Sequence, residues 1–203
     1  MKQQATWAVI AVALAGFTSA ASAQQAAARN FTGWGVGVSA VSIQNKFDVS
    51  PVSRLSAGSY DKTDTGLELV GSYGFALNPN WLVTFGIGYN MLKENYGTGV
   101  TPAGQSTLTA RDHINLSVAP GYRVSDSGLV YGKLSVHSAT FVEDMPAGSF
   151  TKAIGGTGWG LGYAWVLAPK TEARAEYESI GYEAQVGGTP RQRRFAVSLL
   201  YKF

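Results

Sequence analysis

Phe195-Ala196-Val197-Ser198-Leu199-Leu200-Tyr201-Lys202-Phe203 closes the chain with a bulky apolar side chain at every odd position. Alternation with a period of two belongs to a β-strand whose two faces meet unlike surroundings. The same texture recurs upstream in segments of about ten residues, the length at which a tilted strand crosses a bilayer. Eight such segments are placed at residues 32–43, 65–77, 81–92, 107–124, 129–141, 153–167, 171–182 and 191–203. In the third, Trp81, Val83, Phe85, Ile87, Tyr89 and Met91 alternate with Leu82, Thr84, Gly86, Gly88 and Asn90. The sixth sets Trp159, Leu161, Tyr163 and Trp165 against glycines, and the seventh sets Ala173, Ala175 and Tyr177 against Glu172, Arg174, Glu176 and Glu178.

Alternation alone does not say which row is outside, because a soluble ligand-binding barrel uses the same rows the other way round. Volume decides. A barrel of about eight strands has an interior just wide enough for side chains to fill, so eight rows of Trp, Phe, Tyr, Leu and Ile do not fit within it. The apolar rows are therefore expected to face lipid, with glycines and charges facing the axis. The connections support this layout: Asn78-Pro79-Asn80, Ser125-Asp126-Ser127-Gly128 and Ala168-Pro169-Lys170 have turn chemistry. Residues 44–64, 93–106, 142–152 and 183–190 read as longer polar loops. The expected fold is all-β: an eight-stranded antiparallel transmembrane β-barrel with short periplasmic turns, longer extracellular loops and both termini periplasmic.

The first residues are an address. Lys2, an apolar run from Ala5 to Phe17 and Ala21-Ser22-Ala23 before Gln24 read as a signal peptide over residues 1–23. Residues 24–203 are then the barrel domain. The apolar run is too short for a bilayer-spanning helix, and no later stretch approaches the roughly 20 residues one requires. The chain has no cysteine, which excludes disulfides, thiolate metal sites and a lipidated cysteine. Without Lys2 the balance is 15 basic against 13 acidic residues. Scattered charges of both signs give no footprint for nucleic acid. Only 14% of residues are charged and 25 are glycine, against roughly 25% charged in soluble domains, so something other than water covers part of the surface.

Lumen parity selects a charge network of Glu68, Arg111, Arg123, Lys133, Glu172, Arg174, Glu176, Glu178, Arg194 and Lys202, together with His113 and His137. Charges in a narrow barrel must be paired or wet. The network reads either as a selectivity ring or, more simply, as a structural polar plug. Trp34, Trp81, Tyr89, Trp159 and Trp165 stand where interface girdles lie. His113 and His137 have no metal-ligand spacing and meet only if register brings them level. His137 and Ser138 point to opposite faces and so make no catalytic dyad. No catalytic residue, metal site or cofactor is expected. Arg191, Arg193 and Arg194, where the last loop joins its strand, suit lipopolysaccharide phosphate or an ordinary solvated rim.

The stretch Gly162-Tyr163-Ala164, Pro169, Arg174-Ala175-Glu176-Tyr177 and the terminal Tyr201-Lys202-Phe203 resembles the last three strands of the small outer-membrane β-barrel family of porin-like and opacity-type surface proteins. The resemblance implies that Tyr201 and Phe203 belong to the signal read by the barrel-assembly machinery during biogenesis. The family's loops differ widely and carry no function across. The expected role is structural or surface-interactive, in envelope integrity or adhesion, with outer-membrane lipid and lipopolysaccharide as partners and an extracellular ligand open to the loops. The alternatives are a narrow passive channel for small solutes and, third, an outer-membrane lipid hydrolase.

Overall fold

The computed structural model describes residues 30–49, 59–101, 104–146, 148–184 and 188–203. The signal peptide expected over residues 1–23 lies outside the described residues. Among the described residues nine strands run in chain order: β1 (Gly33–Val49), β2 (Ser59–Ala76), β3 (Trp81–Asn90), β4 (Glu94–Thr101), β5 (Gly104–Ser125), β6 (Gly128–Met145), β7 (Gly148–Ala168), β8 (Thr171–Tyr182) and β9 (Gly188–Lys202). Eight form a closed antiparallel ring in the order β3-β2-β1-β9-β8-β7-β6-β5, completed by β3 on β5. The first and last strands are partners, with Val38 opposite Leu199 and Gly35 opposite Lys202. Closure satisfies the backbone of each strand from both sides, as a lipid environment demands. β4 stands outside the ring, paired with β5.

The three tight turns lie where the sequence places them, all at one rim. In the first, Asn78 Oδ1 accepts hydrogen bonds from the backbone N–H groups of Asn80 (3.0 Å) and Trp81 (2.9 Å), the side-chain turn that asparagine favours. The opposite rim differs from the sequence reading. β5 and β7 have 22 and 21 residues, about twice what a crossing requires. β1 continues to Val49, β6 to Met145, and β9 starts at Gly188. Much of what reads as loop is strand, and residues 93–106 contain β4.

Strand faces alternate as expected within the lipid belt. In β9, Phe195, Val197, Leu199 and Tyr201 are exposed while Arg194, Ser198, Leu200 and Lys202 are buried. Trp34, Ile87, Leu134 and Leu161 are exposed on their strands. Towards the loop rim the chemistry of the two faces reverses although parity does not: Gln44, Lys46, Arg191 and Arg193 point out, while Phe47, Tyr96, Phe141, Ile154, Ile180 and Tyr182 pack inside. Beyond the lipid the outer surroundings are water, so the same strands bury apolar side chains as a soluble core does. A second apolar cluster at the turn rim gathers Phe31, Leu82, Ala119, Leu129, Tyr131 and Ala164. The expectation of glycines and charges along the axis is thus corrected at both ends of the lumen, where apolar side chains take their place.

Candidate functional site: a polar spine between two apolar caps

A ladder of ionic and hydrogen-bonding side chains fills the axis between the caps. Near the turn rim Arg174 donates through Nε to Glu172 (2.5 Å) and through Nη2 to Ser72 Oγ (3.1 Å). Lys202 Nζ lies 3.7 Å from the other Glu172 oxygen and within 3.4 Å of the Phe31 carbonyl. One level up, Tyr131 donates to Glu176 (2.7 Å), and Lys133 bridges Glu176 (3.0 Å) and Glu178 (3.3 Å). Arg194 pairs with Glu68 across the lumen. Every one of these carboxylates faces a cation or a donor, the condition under which buried charge is tolerated.

The upper half centres on the histidines. Ser135 Oγ donates to Glu178, and His137 Nε2 lies 2.8 Å from Ser135 Oγ and 3.2 Å from Glu178 Oε1. His137 Nδ1 is 2.9 Å from His113 Nε2, and His113 Nδ1 is 2.8 Å from Glu94 Oε1. Glu94 also accepts from Asn90 (2.7 Å) and Gln192 (2.5 Å). Gln192 further donates to Asn45 (2.9 Å), and Tyr182 donates to Gln192 (3.2 Å). Glu94 belongs to β4, outside the ring of spanning strands. Burial would raise its carboxyl, but the hydrogen bond and charge of His113, the charge of Arg194 and the Asn90 bond outweigh that and hold it at about 2, below its ordinary 4.5.

A β-bulge in β5 lies just above the histidines. Arg111 faces Thr140 but Ile114 faces Ser138, so β5 carries one extra residue, and Asp112 takes a φ of 52° there. His113 keeps the inward parity of Asn115 below it, level with Asn90; a bulge re-aims side chains, and here the one re-aimed is Arg111. Arg111, expected in the lumen network, instead lies outside, half exposed, with Nε 3.7 Å from Asp112. Parity counted through an unbroken strand gave the wrong face. Arg123 points inward but sits at the turn rim, 3.4 Å from Asp126, away from the spine. Arg194, grouped by sequence with Arg191 and Arg193, is buried in the spine.

Sequence reasoning missed several members. Ser135 shares parity with Lys133 and His137 and was legible; Glu94 was hidden in an assumed loop. Ser138 takes no part: His137 meets the serine two residues earlier on its own face. Among the described residues no group of three or more His, Cys, Asp or Glu is placed to hold a metal ion. Among the described residues a cavity of about 20 Å³ lies beside Lys133, Glu172, Arg174 and Glu176, room for about one water. Of the girdle residues, Trp34, Trp81, Tyr89 and Trp159 are exposed, and Trp165 is half-buried 5.8 Å from the Tyr163 ring. Tyr201 and Phe203 are exposed, their rings edge to face at 5.3 Å.

Closed antiparallel strands, apolar towards the outside and ionic within, define an integral β-barrel of the outer-membrane type. The chain belongs to the outer membrane protein β-barrel domain family, which it matches over residues 12–203. That family places it in the bacterial outer membrane. Among solved structures it is similar to Ail, the attachment invasion locus protein of Yersinia pestis, in complex with the heparin analogue sucrose octasulfate. The two share 15% identity over 85% of this chain and 100% of that one, with a TM-score of 0.53. Neisserial surface protein A is 14% identical over 85% of this chain and 98% of that one, with a TM-score of 0.54. At these identities the likeness is one of fold. No curated protein sequence matches the chain.

Proposed function

We propose that the protein is a sealed scaffold of the outer membrane, serving envelope integrity or adhesion by holding long hairpins at the cell surface and catalysing no reaction. The observation that carries this reading is the filled lumen: an ion-paired spine with an apolar cap at each end and a cavity of about 20 Å³. The tight turns and both termini then lie in the periplasm, and the tall strands rise outside the cell. Ail, an attachment protein of the same fold that holds a sulfated heparin analogue, supports a surface-interactive role with an extracellular ligand for the hairpins.

The outward belt supports lipid partners. Exposed Tyr177 and Phe195 face each other across β8 and β9, and Arg193, Arg191 and Lys46 stand just above them on the outer face. Lys46 and Arg191 are directly opposed, a like-charge pair that destabilises unless an anion lies between. Asp48 lies 3.7 and 3.6 Å from them, and lipopolysaccharide phosphate suits the Arg193 level. Tyr201 and Phe203 serve as the assembly signal read during biogenesis.

Planar-bilayer recording with purified protein tests the sealed lumen. No unit conductance is expected at neutral pH; reproducible steps would overturn the reading in favour of a narrow porin-like channel. Release of acyl chains from lipid A would instead favour a hydrolase built on Ser135 and His137.

A further inference from the structure

The two histidine rings carry a hydrogen count. Glu94 accepts from Asn90 and Gln192 as well as from His113; an ionised carboxylate only accepts, so the hydrogen of that contact sits on His113 Nδ1. Across the 2.9 Å between His113 Nε2 and His137 Nδ1 there is room for one hydrogen and need of one. On the far side Ser135 Oγ spends its hydrogen on Glu178, which leaves its lone pairs to accept from His137 Nε2 at 2.8 Å. Three hydrogens on four ring nitrogens amount to one imidazole and one imidazolium.

A separate charge count agrees. The spine holds the five carboxylates of Glu68, Glu94, Glu172, Glu176 and Glu178 against the four cations of Lys133, Arg174, Arg194 and Lys202. Unbalanced charge in so closed a space costs several kcal/mol per ion. One proton on the histidine pair brings the total to zero.

We infer that His113 and His137 together bind a single shared proton between Glu94 of β4 and Glu178 of β8, and that this proton clasps the β4 hairpin over the lumen mouth until acid releases it. A second proton would set two N–H groups facing each other across 2.9 Å, so the contact must break. β4 is the side expected to move, because its backbone ladder runs along β5 alone; its other ties to the ring are side-chain bonds, among them Asn95 N–H to Asp64 of β2 (2.8 Å) and Asn45 of β1 to the Asn95 carbonyl (3.1 Å). Facing the pair are Glu94 of β4 at His113 Nδ1, Tyr182 of β8 with its hydroxyl 3.3 Å from His113 Nε2, Glu178 of β8 3.2 Å from His137 Nε2, and the charge of Arg194 of β9; one step further out Lys133 of β6 meets Glu178, Glu68 of β2 meets Arg194 and Tyr96 of β4 stands beside Tyr182. The inference does not depend on what the surface hairpins bind.

The chain has two histidines, so nitrogen NMR of histidine-labelled, untagged full-length protein in lipid nanodiscs reports on this pair alone. The expected result at pH 7 is one imidazolium shared by two rings, and on acidification a second proton that binds together with loss of hydrogen-exchange protection in β4. Glu178→Gln removes one negative charge and is expected to shift release of the shared proton to lower pH; Lys133→Met removes one positive charge and is expected to shift it to higher pH. A purely structural pair would not move in opposite directions in the two variants. Two neutral rings at pH 7, acid titration with β4 protection unchanged, or the same titration in wild type and whichever variant folds would overturn the inference.

Discussion

Gly158 shows how little slack the spine has. A Cβ there would lie 2.5 Å from Ser135 Oγ, 2.9 Å from Glu178 Oε1 and 3.0 Å from His137 Nε2. Gly158→Ala is expected to cost about 1–3 kcal/mol, the price of overpacking, in urea unfolding of the folded protein. Gly132→Ala, where a Cβ meets nothing within 4 Å, should change stability little. Arg194→Leu strands the buried Glu68 carboxylate and is expected to cost about 3–5 kcal/mol, most of it recovered when Glu68→Leu is added; additive losses in that cycle would contradict the pairing. The sign for Glu94 follows from its carboxyl lying at about 2 instead of 4.5. Its contribution is fully present above pH 4.5 and fades as pH falls towards 2. Between those limits Glu94→Gln should flatten the acid dependence of the unfolding midpoint. At this scale the sequence disclosed parity, and with it Glu68, Lys133, Glu172, Arg174, Glu176, Glu178, Arg194 and Lys202 on the inner face. It misplaced Arg111, because a one-residue bulge at Asp112 leaves no mark in a composition-based alternation.

At the scale of elements, the strands outrun the lipid. An apolar outer row is legible only where the outside is hydrocarbon; above it the outer row becomes Gln44, Lys46, Arg191 and Arg193, and a reader looking for grease ends the strand too early. The inner row there, Phe47, Phe141, Ile154, Ile180 and Tyr182, is a soluble-type core. β4 was illegible for a related reason: Glu94-Asn95-Tyr96-Gly97 is short, polar and glycine-bearing, and its partner β5, the bonds of Asn95 to Asp64 and Asn45 and the pocket for Tyr96 hold it as a strand. Tyr96 is fully buried, with its ring 5.1 Å from Phe141. Tyr96→Ala should open a cavity costing about 3–5 kcal/mol. The loss should appear as faster amide exchange in β4 and the upper parts of β5, β6 and β7, with β3 and the lower half of β9 unchanged. Uniform loss of protection down to the turn rim would show that the cap and the membrane ring are one cooperative unit.

At the scale of the whole molecule, the barrel is two cores stacked on common strands: an inside-out core in the lipid, with charges on the axis, and an ordinary core above it. The volume argument that sets the apolar rows outward needs nothing beyond strand count and side-chain size, which is why the fold was legible. The spine's pairing needed register, which alternation does not give. The most direct test of the account is depth-resolved lipid quenching of single fluorescent or nitroxide labels at Ile87, Leu134 and Leu199 against Ser135 and Ser198 in the refolded protein. The account requires strong quenching by lipid-borne groups at the first three and none at the two serines; quenching at Ser135 and Ser198 with protection of Ile87, Leu134 and Leu199 would contradict it.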